Sequence, residues 1–134
     1  MTYTVHMQEI LPLRNALLES HKLLLAFERR RYEDVYGKVA TPGQMLELVV
    51  NHPSFQWLRE LSGLIVSMDE ALEGKAAAVS AEDFRVAVER LYVTPKLGEP
   101  FGEKYKVAFQ HDADVAQAHG QILSALKRPP SEKS

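Results

Sequence analysis

The sequence predicts an all-α fold: an antiparallel four-helix bundle with an additional short helix before the second long helix. Three observations carry that expectation. Apolar residues recur every three or four positions through several long stretches. Two proline-marked helix starts, Thr41-Pro42 and His52-Pro53, sit eleven residues apart. No stretch shows sustained period-two alternation with hairpin turn signals. At 134 residues the chain suits one domain with one core, expected over residues 1–128, followed by a flexible tail at 129–134.

The first helix is expected over residues 11–36. Pro12 fits a first turn, where its missing N–H costs nothing. Leu13, Leu17, Leu24 and Val35 share a stripe, with Leu18, Leu25 and Tyr32 beside them, and Gly37 follows as a terminator. Thr41-Pro42-Gly43-Gln44 has the pattern of a capping box and opens a short helix to about residue 50. The residue before a proline is pushed out of the helical region, so Asn51-His52-Pro53 should bend the chain. A second long helix is expected over 53–73, burying Phe55, Leu58, Leu61, Ile65, Met68 and Leu72, with Gly74 at its end. Ser80-Ala81-Glu82-Asp83 is another capping box, opening a helix whose inner face holds Phe84, Ala87, Val88 and Leu91. The segment from Thr94 to Pro100 reads as a loop. A final helix is expected over 101–127, with Phe109, Val115, Ile122 and Leu126 on its apolar side.

Composition narrows the function classes. Net charge is -2, which gives no general attraction to nucleic-acid phosphates. The basic run Arg29-Arg30-Arg31 is flanked by Glu28, Glu33 and Asp34, as on a charge-paired helix surface. With no cysteine, thiolate chemistry and disulfides are excluded. The N-terminus lacks a signal-peptide pattern, and no apolar run approaches the ~20 residues needed to span a bilayer. A soluble cytoplasmic protein is the expectation. No nucleophile elbow or phosphate-binding glycine loop occurs, and Asp69 and Glu70 face different directions on one helix.

The stretch from Phe55 to Glu70, with the first-helix residues His21 and Glu28 to Tyr32, resembles a family of small bacterial α-helical bundle proteins of unknown function. The resemblance covers the first half of the chain. It implies a bacterial bundle and no particular activity.

Polar residues on expected apolar faces are the candidate chemistry. His21 and Glu28 lie seven apart on the first helix, and Asp69 shares a stripe with Leu58 and Ile65. His111 and His119 flank Val115 by four residues each. One reading joins these five as ligands for divalent iron, zinc or manganese between helices, although no Glu-x-x-His or His-Glu-x-x-His motif marks them. The other makes them satisfied structural pairs, with Asp69 held by Arg59 or by a first-helix arginine. Trp57, the single tryptophan, is either core-edge packing or an interface anchor bordered by Tyr32 and Tyr36. Gly63 would allow close approach of another helix.

The leading expectation is a non-enzymatic bundle acting through protein–protein contact, with homodimerisation expected and neither nucleic acid nor membrane as partner. The alternative is a metal- or small-ligand-binding bundle with a polar site between helices.

Overall fold

Capping signals mark the helix starts, and the structure places helices at them. The structure, a computed structural model, describes residues 7–75 and 79–128, and the tail expected at 129–134 lies outside the described residues. The described residues are all-α. A short 3-10 turn, Gln8–Ile10, leads into α1 (Leu11–Tyr36); α2 follows (Pro42–Asn51), then a 3-10 turn (Pro53–Leu58) and α3 (Arg59–Leu72). The chain continues through α4 (Ala81–Tyr92), α5 (Pro100–His111) and α6 (Ala113–Ala125). No described helix is long and apolar enough to cross a membrane.

The start signals work as the side chains dictate. Ser80 Oγ accepts from the Asp83 N–H at 3.1 Å while Asp83 Oδ2 accepts from the Ser80 N–H at 3.0 Å, a complete reciprocal box. Thr41 Oγ1 accepts from the Gln44 N–H at 3.1 Å, but Gln44 Oε1 reaches one residue further back, to the Ala40 N–H. His52 breaks the helix in an extended conformation, and its Nδ1 accepts from the Ser54 N–H at 3.1 Å. An imidazole therefore stands where a serine or aspartate more often caps. The chain restarts as a 3-10 turn before widening into α3.

Two expectations need correction. The last expected helix is two helices. Asp112 adopts an extended conformation, and its Oδ1 accepts from the N–H groups of Asp114 and Val115 at 2.9 and 3.1 Å. That carboxylate caps α6 and ends α5, so the described residues form six helices. Val35, placed on the inner stripe of α1, is 73% exposed. The last buried residue of α1 is Glu28, so the helix outruns the core on which it packs.

The core gathers around α1, whose most extensive contacts are with α6 and then α3. Its buried positions Leu13, Leu17, Ser20, Leu24, Phe27 and Glu28 alternate steps of three and four through Phe27, the spacing of one helix face. They meet Phe55, Leu61, Met68, Val88, Phe101 and Ile122. Each such aliphatic or aromatic side chain contributes about 1.5–3 kcal/mol on burial. Polar bonds set the register. Arg14 Nε donates to Asp69 Oδ1 at 2.7 Å, tying α1 to α3. Arg30 Nη2 donates to Asp112 Oδ2 at 2.6 Å, tying α1 to the α5–α6 joint.

The buried Trp57 indole N–H donates to Glu28 Oε1 at 3.0 Å. Trp57→Phe removes that donor and leaves the buried carboxylate without it, a loss of about 1–3 kcal/mol in urea denaturation. Glu28→Gln keeps an acceptor and should cost less. Because Trp57 is the sole tryptophan, fluorescence of the wild-type protein should report an apolar indole; emission at the position of free tryptophan would contradict the burial.

Candidate functional site

A cleft lined by several aromatic rings lies where α4, the loop after it, α5 and α6 meet. It follows from the break at Asp112. Tyr105 and His119 each lie seven residues from Asp112, on opposite sides. In one straight helix they would be about 21 Å apart. Because the chain turns back at Asp112, Tyr105 Oη and His119 Nδ1 stand at 2.7 Å. The Phe109 ring meets His119 edge-on, with centroids 5.2 Å apart.

The opposite wall comes from the loop. Val93 and Thr94 N–H groups both bond Glu89 O, closing α4, and the Glu99 N–H bonds Lys96 O before Pro100 starts α5. Pro95 is drawn onto Gly102, where an added Cβ would lie 2.8 Å from the proline Cβ. Only glycine fits there, since real Cβ atoms do not approach so closely. From Gly102, positions 105, 106, 109 and 110 follow at helical spacing and line the same cleft. The cavity measures about 460 Å³ and is walled by Tyr92, Tyr105, Phe109 and His119, with Lys96, Glu103, Lys106 and Leu97 also lining it. Leu97 is almost wholly exposed and Phe109 is 39% exposed. Phe109, expected to face inward, lines this cleft instead.

Aromatic rings run from the core to the cleft. Trp57 contacts Phe101 at 5.5 Å, Phe101 stacks on Tyr105 at 5.5 Å, and Tyr92 meets Tyr105 edge-on at 4.9 Å. Tyr92 is buried and shares a hydrogen bond with Ser20 at 3.0 Å. Burial pushes both tyrosines above the ordinary phenol range and pushes His119 below the ordinary imidazole value. Tyr105 and His119 therefore face one another as neutral groups near pH 7.

The other candidate residues are dispersed. His21 Nε2 and Ser62 Oγ stand at 2.8 Å, and the Ser62 hydroxyl donates to Leu58 O at 3.1 Å. With the hydroxyl proton used there, His21 is the donor to Ser62. Burial lowers its pKa. Glu28 is held by Trp57 and Asp69 by Arg14. His111 is exposed at the end of α5, because the helix stops before it can share a face with His119. No group of three histidine, aspartate or glutamate side chains able to hold a metal occurs among the described residues.

Of the residues singled out for an interface, Trp57 is only 6% exposed. Gly63 is exposed, and nothing in the chain lies within 4 Å of where its Cβ would be. Tyr32 and Tyr36 pack together at 4.7 Å and both contact the His52 ring, on the rim of a second cavity of about 430 Å³. Tyr92, Tyr105 and Ser20 were not singled out by sequence. Ser20 had a readable signal, lying seven residues before Phe27 and four before Leu24 on the α1 stripe.

No family model matches the chain, and no curated protein or solved structure matches it.

The two lowered imidazoles fix a pH dependence. Below the ordinary value of 6.5, the unfolded chain binds more protons at His21 and His119 than the folded chain does. Their contribution is complete above 6.5 and is lost as the pH falls through the folded-state values. Denaturation midpoints should fall between about pH 7.5 and about pH 5.5, and less in the His21→Gln, His119→Gln double variant. An equal fall in both proteins would show that these histidines do not carry the effect.

Proposed function

We propose that this protein binds a small organic ligand in the cleft between α4, α5 and α6. The observation that carries the reading is the Tyr105–His119 pair, set in the wall of a cleft that is otherwise largely aromatic and apolar. Small-molecule sites combine those features: a volume of about 300–1,000 Å³, apolar walls and a few convergent polar groups. Exposed Leu97 and Phe109 add apolar surface at its edge. The reading takes the small-ligand half of the alternative drawn from sequence and leaves the metal half, whose five residues do not converge.

A second reading, protein–protein contact through homodimerisation, has one specific observation in its favour. The helix α2 is rich in apolar residues yet has none fully buried, and Leu46 and Val50 point outward one turn apart at 66% and 49% exposure. A second copy meeting this face would cover both.

The ligand reading is tested by small-molecule screening against isotope-labelled protein. Binders should shift backbone signals around residues 92–110 and 119. Gly102→Ala should weaken them by forcing Pro95 and its loop off α5, although alanine favours the helix itself by about 1 kcal/mol. Binders that shift only signals elsewhere would remove the reading. The dimer reading is tested by light scattering at high micromolar concentration. A dimer mass that falls to monomer in Leu46→Glu supports it, and a monomer at every concentration removes it.

A further inference from the structure

We infer that the cleft selects a planar aromatic anion, a ligand with a flat ring body and a carboxylate-type head. The inference rests on the ligand-binding reading above and adds the chemistry of what binds.

The ring body follows from the walls. Phe109 and His119 are the rings most open to the cleft, and the buried Tyr92 and Tyr105 back them, the four packed at mutual tilts of 36° to 85°. Flat guests gain offset-stacked and edge-on contacts against such surfaces, which a branched aliphatic guest cannot form. A cavity of about 460 Å³ accommodates a one- or two-ring compound.

The charge of the head follows from what the walls offer. Lys96 comes from the loop and Lys106 from α5, and their two segments meet at the Pro95–Gly102 contact. Among the described residues neither lysine has a carboxylate within 4.0 Å. Glu103 is the single acid in the lining, so the two ammonium groups leave the rim net positive in a chain that is net negative.

The pair at the wall fixes which nitrogen of His119 carries its proton. A phenol is a stronger acid than a neutral imidazole N–H, and an imidazole nitrogen accepts better than a phenol oxygen. Tyr105 therefore donates to His119 Nδ1, which leaves the proton of the neutral ring on Nε2. The Tyr92 hydroxyl is already engaged with Ser20. The groups that recognise a head are thus mostly donors and cations, and an amine would meet two ammonium groups against one carboxylate.

Three matched probes separate charge from shape: 2-naphthoate, 2-naphthol and 2-naphthylmethylamine, each titrated into the full chain by NMR. Naphthoate should bind at least about tenfold more tightly than the other two. Lys96→Gln with Lys106→Gln should remove about that factor for naphthoate and leave naphthol unchanged. Both lysines are exposed, so the fold should tolerate the exchange. Bound naphthoate should also raise the titration midpoint of the His119 ring, which naphthol should not do. Equal binding of naphthol, or preference for the amine, overturns the anion inference while the cleft reading stands. Failure of all three to shift residues of the cleft at millimolar concentration overturns both.

Discussion

Burying the Glu28 carboxylate is the constraint from which the arrangement of this molecule follows. A buried carboxylate is costly unless it is hydrogen-bonded, and here the donor is the Trp57 indole. That bond fixes the 3-10 turn Pro53–Leu58 against the C-terminal half of α1, at its last buried residue. The turn can present Trp57 in this way because the chain bends at His52, whose own ring caps it. The Trp57 ring then lies against Phe101 on the first turn of α5, so the position of α5 depends on a contact made by α1.

The helix α1 acts as the reference for the other elements through similar bonds. Asp69 on α3, Tyr92 on α4 and Asp112 at the α5–α6 joint each take a side-chain hydrogen bond from it or share one with it. The Arg14–Asp69 and Arg30–Asp112 pairs are partly open to solvent, where such pairs are worth about 0–1 kcal/mol. Their larger effect is on register: sliding α1 by one turn would strand all of them together. Apolar packing supplies most of the stability and polar spacing selects among the packings, because leucines tolerate a shift that a directional bond does not.

The same division explains what the sequence could disclose. Helix starts were legible because capping is local: Thr41, His52-Pro53 and Ser80 carry their signals within four residues. The α6 start was written as well, in Asp112 followed by Asp114, but it lay inside a polar stretch compatible with a solvent-facing helix turn. Missing that one cap hid the candidate site. On a continuous helix His111 and His119 flank Val115 and suggest a ligand pair, whereas the broken chain pairs His119 with Tyr105. Helical spacing placed Glu28 on an inner stripe, and it is buried there. Periodicity assigns a residue to a face and leaves open which residue of another helix it meets. It also leaves open where a core ends, which is why Val35 had the right angle and the wrong environment.

The cleft differs from an incidental surface groove in how its loop wall is held. The loop from Val93 to Glu99 is bracketed by two bonds to Glu89 O at one end and by Pro100 at the other. Pro95 restricts its own backbone and presses on the bare Cα of Gly102. The facing wall is the α5–α6 hairpin, fixed by the Asp112 cap and by Arg30. Ordering costs on these segments are met when the chain folds, so a guest does not meet them again on binding. The aromatic series continues the same rigidity inward, from Phe109 and His119 at the opening to Trp57 and Glu28 in the core. A constraint set by one buried carboxylate is in this way carried to the shape of the cleft, through rings whose edge-on and stacked contacts resist rotation.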